Sequence, residues 1–357
     1  MDKLTEIKAP EVTEQPNHYR LLEYIGSVIL VLSPGSTNGQ EVDQEFGDFL
    51  ASSKIPFVRA NTDKDPQLTE QNIIEAYEAL KEKYKEIGRC AFLLATGDSG
   101  VDDSIKAARK FGAVVCALKG GGASNYNRSS IDAKTPVELF QNGFVINAHT
   151  VAIEISHGGE VIDKSETLTT LSPGGFPVDI AKHTNSKEHR EKTFLGINLH
   201  KMSALAAAIP NGIREIKRAK KFIVEIDGQE VKARAIMFIN VPRFAIIGYA
   251  KQIRLDGPAH EIRKSSRSLL NYAITLFRMR SGHSPGKDLK SEKAIRFPED
   301  TVIEIGGETR FISKGTIVKL SDGKPIPVVT DKKEYLPLAR KKSHKLTLNI
   351  FKHGVRQ

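Results

Sequence analysis

The 357-residue chain has no tryptophan and only two cysteines, Cys90 and Cys116. Both thiols sit inside apolar, strand-like runs. That excludes a disulfide-stapled scaffold and a cysteine metal cluster, and it makes them small buried hydrophobes. No apolar run approaches the ~20 residues that cross a bilayer. The first ten residues mix Lys and Glu and lack the apolar centre of a signal peptide, so a cytoplasmic location is expected. His157, His183, His189, His200 and His260 stand without ligand spacing, which argues against zinc. The phosphate loop G-x-x-x-x-G-K-[ST] is missing, as is a G-x-G-x-x-G after a first strand with an acidic residue further on. No zinc-finger or helix-turn-helix signature is present, so no specific nucleic-acid partner is expected.

What the chain does have is charge of one sign and a regular alternation of elements. Net charge is +10, from 53 Lys and Arg against 43 Asp and Glu. The excess gathers in two places. One is Arg214, Lys217, Arg218, Lys220 and Lys221. The other is the stretch 331–357, which carries eight Lys and Arg against Asp331 and Glu334. Such surface suits nucleotides or anionic lipid headgroups, and equally a plain solvated face.

Residues 1–26 read as an N-terminal extension. From 27 to 145 apolar runs alternate with helical patterns. The runs are 27–33 (SVILVLS), 55–60, 90–95 (CAFLLA) and 113–118 (AVVCAL); the helical patterns cover 41–52, 69–87 and 102–111. Thr69 is the expected cap of the second helix and Gly88 its stop. Continuous apolar strands alternating with helices predict a doubly wound parallel sheet. From 146 to 357 short β-like runs dominate, set off by Gly158-Gly159, Asp227-Gly228, Gly306-Gly307 and Asp322-Gly323. That half is expected to be a second, antiparallel β-sandwich domain. It has one clear helix at 265–278 and a further candidate at 204–219.

Three of the parallel strands are followed by loops of Gly and small polar residues. The first is Ser33-Pro34-Gly35-Ser36-Thr37-Asn38-Gly39, the second Thr96-Gly97-Asp98-Ser99-Gly100, and the third Lys119-Gly120-Gly121-Gly122-Ala123-Ser124-Asn125. In a parallel sheet all three lie at the carboxyl edge, where open α/β folds bind ligands. Glycine lets backbone N–H groups approach phosphate, and the helices that follow add their positive ends. Asp98 is the pivotal carboxylate there. It could hold Mg²⁺ against phosphates, accept a proton from an attacking hydroxyl, or simply cap a helix. For Asp102 and Asp103 a favourable place at a helix N-terminus is at least as good an account.

The order of these loops resembles the catalytic domain of the diacylglycerol kinase, sphingosine kinase and bacterial lipid kinase family. The N-P-x-S-G loop of that family appears as Ser33-Pro34-Gly35-Ser36-Thr37. Its G-G-D-G-T-x-N-E appears as Thr96-Gly97-Asp98-Ser99-Gly100-Val101-Asp102-Asp103. Its G-T-[GA]-N-D-[FL]-A-R-S appears as Gly121-Gly122-Ala123-Ser124-Asn125-Tyr126-Asn127-Arg128-Ser129. Gly175-Phe176-Pro177-Val178-Asp179, Leu255-Asp256-Gly257, Ser281-Gly282-His283 and Asp322-Gly323-Lys324-Pro325 continue the likeness.

The resemblance implies ATP and Mg²⁺ in a cleft between two domains, and transfer of the γ-phosphoryl group to a lipid hydroxyl. It implies Asp98 as catalytic and metal-holding carboxylate. Nucleotide contacts would come from Ser33, Pro34, Ser36, Thr37, Thr62, Gly97, Ser99, Gly100, Asp103, Gly121, Gly122, Ser124, Asn125 and Arg128. It also implies a homodimer and peripheral contact with an anionic membrane. NAD kinases are more distant relatives of the same pattern, and an NAD kinase-type enzyme is an alternative reading. Thr96, Ser99 and Gly100 depart from the family's Gly, Gly and Thr, and Lys324 stands where the family has a Glu. A lysine there cannot hold Mg²⁺ and opens a second reading, a nucleotide-binding protein without catalysis.

Overall fold

The computed structural model describes residues 21–34, 39–118, 125–185, 193–194, 197–198, 213, 216–218, 220–244, 248–266, 268–283, 286–289 and 291–335. Its first sheet is built on β1 (Ser27–Leu32), flanked in parallel by β2 (Phe57–Asn61) and β3 (Cys90–Ala95), with β4 (Val114–Ala117) parallel to β3. Two apolar faces on each strand explain the continuous runs. Ile29, Val31, Phe92, Leu94 and Val115 face one layer, while Val28, Leu30, Ala91, Leu93 and Cys116 face the other. Helices Gly39–Ser52 and Pro136–Asn142 cover the second face, with Phe49 and Phe140 in ring contact at 5.0 Å. Helices Pro66–Lys83 and Ile105–Phe111 cover the first, and Tyr77 stacks on Phe111. Both cysteines are free and buried; burial pushes the Cys90 thiol up to about 12.

Helix boundaries differ from expectation in two places. The helix after β2 is capped by Asp65, not Thr69. Asp65 Oδ1 accepts the Gln67 N–H at 2.9 Å, and Pro66 fills the first turn, where no N–H is needed. Thr69 is taken up by Asp63, accepting its N–H and donating to its carbonyl. That helix ends at Lys83, before Gly88; Gly88, at φ +54, instead lets the backbone pass against Gly26. After β3 the chain turns into helix at once, as Asp98–Asp103 and then Ile105–Phe111. The break at Ser104 coincides with its hydroxyl bonding the Gly100 carbonyl at 2.7 Å. Gly112, left-handed at φ +61, closes the second piece.

β5 (Phe144–Ala148) leads into two six-stranded antiparallel sheets. One runs Gln229–Ala233, Phe222–Ile226, Lys293–Arg296, Ile317–Asp322, then β6 (Val151–His157) and β7 (Glu160–Thr167). The other runs Lys287–Asp288, His260–Lys264, Ala235–Ile239, then β8 (Thr170–Gly175), Thr301–Ile305 and Glu308–Ile312. Val151, Ile153 and Ile155 from the first meet Leu171, Phe238, Ile303 and Ile305 from the second in one sandwich core. Asp227-Gly228 and Gly306-Gly307 have φ above zero at both positions, as tight hairpins between right-twisted strands require. Helix Leu269–Arg280 answers the expected 265–278. Helix Phe176–Asn185 is additional. Most of the candidate helix at 204–219, and the basic tail beyond 335, lie outside the described residues.

One connection ties the halves together. After Ile317–Asp322 the chain leaves the sandwich, and Ile326–Thr330 enters the first sheet between β4 and β5, parallel to β4 and antiparallel to β5. The Asp322-Gly323-Lys324-Pro325 segment is that crossover. Arg109 grips it by donating to the carbonyls of Lys324 and Pro325 while pairing with Glu166 at 2.6 Å.

Candidate functional site

The loops after β1, β3 and β4 leave the same edge of the first sheet. Ser33 and Pro34 are described at the end of β1, where the Ser33 N–H reaches the Ala95 carbonyl. Ser36, Thr37, Gly121, Gly122 and Ser124 lie outside the described residues. Thr62 follows β2 and bonds the Leu32 carbonyl at 2.8 Å, beside the first loop.

The turn after β3 lies wholly within the described residues. Gly97 caps helix Asp98–Asp103 without a side-chain acceptor, and among the described residues nothing lies within 4 Å of where a Cβ would stand on it. Gly100 is crowded instead: a Cβ there falls 2.7 Å from Thr96 Cβ and Oγ1.

Asp98 is buried, and its carboxylate joins two of the loops. Oδ2 accepts the Asn125 N–H and Oδ1 the Tyr126 N–H, both at 3.0 Å. It thus caps helix Asn125–Ser130 from across the site. Arg128, one turn into that helix, bonds Asn125 Oδ1 at 2.8 Å. Burial lowers the Arg128 pKa, while the charge of Asp98 pulls it back up.

Beside this edge, between the two halves of the chain, opens a cleft of about 370 Å³. Asp65, Glu70, Ser99, Asp102, Asp103 and Lys106 line one wall; Asp163, Ser165, Glu166, Ile305, Glu308 and Arg310 line the other. Of the residues expected to touch nucleotide, Ser99 and Asp103 line it, and Asp98 and Gly97 do not. Lys324 is exposed and also stands off the lining.

The cleft carboxylates are strained electrostatically. Asp102 Oδ1 accepts the Leu168 N–H at 2.8 Å, whereas its buried Oδ2 has no hydrogen-bond partner among the described residues. Gly306, at φ +58, is the residue that lets the sandwich backbone close on that oxygen. Burial holds the Asp102 carboxyl well above the usual range, against the pull of the Thr167 hydroxyl and Leu168 amide, and Asp98 and Asp103 raise it further. Asp103 is pushed up to about 7 by burial and by Glu308, with Arg310 and Lys106 opposing. Glu304, behind the lining, is also pushed up to about 7 by burial, although Gly307 N–H and Thr170 Oγ1 donate to it at 2.6 and 2.9 Å. Seven carboxylates face two cationic side chains in this lining. Such a wall repels bare phosphate and favours phosphate that arrives with a cation.

The sequence pointed to the strand-end turns but not to the carboxylates opposite. Asp163, Glu166 and Glu308 sit on β7 and on the strand Glu308–Ile312, far from the loops in sequence and without a motif of their own.

No family model matches the chain, and neither does any curated protein. Solved structures do. One, "A putative diacylglycerol kinase from Bacillus anthracis str. Sterne", superposes with a TM-score of 0.54 at 14% identity, over 87% of this chain and 99% of its own. A second structure of that description gives 0.53 at 13% identity, over 86% and 97%. At these identities the likeness is one of fold: an α/β domain and an antiparallel β domain in the same arrangement over nearly the whole chain.

Proposed function

We propose that this chain, built on a diacylglycerol-kinase-like fold, is a phosphotransferase that binds ATP on its strand-end turns and transfers the γ-phosphoryl group to a lipid hydroxyl. One observation carries the reading: the carboxyl ends of β1, β3 and β4 share an edge beside a cleft between the two halves, with Asp98 fastening the turn after β3 to the helix after β4. Phosphoryl transfer depends on positioning and charge neutralisation more than on covalent chemistry by the protein. In this reading Ser33, Pro34, Ser36, Thr37, Thr62, Gly97, Ser99, Gly100, Asp103, Gly121, Gly122, Ser124, Asn125 and Arg128 surround the nucleotide. Asp98 fixes the relative position of the turns around it.

The residues suit Mg²⁺ bound to phosphates better than a protein cage. Among the described residues no three His, Cys, Asp or Glu side chains converge to hold an ion. Mg²⁺ is ordinarily held by one or two carboxylates plus substrate phosphates and waters. Asp98, as the family's carboxylate, and Asp102 and Asp103, whose raised pKa values a cation would relieve, are the proposed partners. When bound, the ion supplies neutralisation of phosphate charge. The protein's own part is to hold the donors in place and close water out between the two halves.

A second reading rests on Lys324. Its exposed position at the crossover provides no carboxylate where lipid kinases have one, which favours nucleotide binding without transfer. Incubation with Mg-ATP and a panel of diacylglycerol, monoacylglycerol and sphingosine separates the two. Transfer of radiolabelled phosphate, lost in Asp98→Asn, is the expected outcome. ATP-dependent thermal stabilisation with no transfer to any acceptor favours the second reading, and stabilisation by NAD instead of ATP sinks both.

A further inference from the structure

Helix Leu269–Arg280 has an apolar face that packs against nothing among the described residues. Leu270 and Phe277 are each 70% exposed and Ile274 is 50% exposed. Its opposite face is fully engaged: Tyr272, Thr275 and Met279 are buried, and Tyr272 meets the Phe176 ring edge-on at 5.2 Å. The helix is therefore anchored to the body, and its outward stripe is a fixed feature. At about 100° per residue, Leu270, Ile274 and Phe277 fall within roughly 60° of one another, and Arg278 and Arg280 lie about 80° to either side of Leu270. Both arginines are exposed.

The sequence around the helix is basic, bounded by Glu261, which pairs with Arg263, and by Asp288. From 262 to 287 the sequence carries Arg263, Lys264, Arg267, Arg278, Arg280 and Lys287, and no Asp or Glu.

We propose that this helix docks the protein on an anionic lipid surface, with Leu270, Ile274 and Phe277 entering the acyl boundary and Arg278 and Arg280 reaching the headgroups. An apolar stripe between cationic flanks is the pattern of helices that lie in the membrane interface, and long basic side chains can extend from the stripe's margins to the polar layer. A second copy of the chain is the poorer occupant. A two-fold contact through this face would set the arginines of one copy against those of the other. A peptide is poorer too, since the three side chains protrude as a ridge and offer no groove. Among the described residues no helix is long and apolar enough to cross a membrane, so docking would be peripheral.

The absence of tryptophan makes a direct test available. Phe277→Trp places a single reporter at the centre of the stripe. Phe311→Trp places one at a residue 66% exposed on the far edge strand of the same sheet that gives rise to the helix. Each full-length variant is titrated with vesicles of phosphatidylcholine, with and without one part in three of phosphatidylglycerol.

The expected result is a blue shift, and quenching by brominated acyl chains, for the reporter at 277 and not for that at 311. Binding to the anionic vesicles should exceed that to neutral ones by ~10-fold or more. In co-sedimentation, Ile274→Glu on the Phe277→Trp background should lower the bound fraction by a similar ~10-fold. An unshifted emission at 277 with anionic vesicles overturns the proposal. So does a blue shift that grows with protein concentration in the absence of lipid, which would assign the face to self-association.

Discussion

Two of the three departures in the turn after β3, Thr96 and Gly100, make a quantitative prediction. Thr96 is 1% exposed and its hydroxyl bonds the Gly97 carbonyl at 3.0 Å. A Cβ at position 100 would stand 2.7 Å from Thr96 Cβ and Oγ1, and 3.2 Å from Cγ2. Lipid kinases resembled by this chain carry Gly and Thr at the positions of Thr96 and Gly100, so here the bulk has moved from one member of a touching pair to the other. Gly100→Thr alone overpacks the turn and should cost ~2 kcal/mol, even after the better helix propensity of a non-glycine residue is credited. Thr96→Gly alone leaves a void and loosens the strand end, at ~1–2 kcal/mol. The double variant restores one side chain to one space. Its cost should fall short of the sum by at least ~1 kcal/mol, a coupling typical of residues in contact. Urea denaturation at constant m-value measures all three. Additive costs would refute the reasoning, because they would mean that the two side chains do not compete for the same volume.

Two further outcomes are expected. Glu304 has its carboxyl raised from 4.5 to about 7, so the folded state holds a proton that the unfolded state releases. Its contribution is therefore full below pH 4.5 and is lost as pH rises through about 7, by ~3 kcal/mol at most. Thermal melts at pH 5 and pH 8 should show the fall, and Glu304→Gln should lessen it, leaving the part that Asp102 and Asp103 contribute with the same sign; a wild-type curve that rises over this interval contradicts the assignment. Arg109→Met removes the donors that grip the Lys324 and Pro325 carbonyls and leaves Glu166 with the Thr150 hydroxyl but without its arginine. It should cost ~2 kcal/mol and raise hydrogen exchange in Ile326–Thr330 above that in β1; equal exchange in the two strands would show that the grip is immaterial.

The first sheet was legible because burial on both faces leaves an unmistakable trace. SVILVL and CAFLLA carry no polar residue inside them except at their ends. Hairpins in the second half announced themselves through Asp227-Gly228 and Gly306-Gly307. The strand Ile326–Thr330 did not, because Pro327 argues against a central strand. Its missing N–H is tolerated here because pairing with β4 rests on Val328 and Val115 only, one residue beyond the proline.

Asp98 was singled out as the carboxylate in the turn after the third strand, and it stands there. Its bonds to the Asn125 and Tyr126 amides could not be foreseen, since they join residues 27 and 28 positions apart. The cleft carboxylates were invisible for the same reason: the opposing walls come together only when the sandwich folds back on the first sheet. The apolar stripe of Leu269–Arg280 was hidden differently. Periodicity marks a helix with buried positions, and only the packed structure distinguishes which of its apolar residues are left outside.

The route of the chain through Ile326–Thr330 also bears on synthesis. Emerging from the ribosome, β1 to β4 can pair as soon as they are made, but the place between β4 and β5 stays empty until nearly 180 further residues have followed β5. Throughout that interval β4 presents an unpaired edge on one side and β5 has no neighbour in the sheet, a state open to pairing with other chains. Fragments that stop short of residue 326 are held permanently in it. The nascent protein thus depends on the completion of its second half for the solubility of its first, and chaperone demand should peak late in translation, not early.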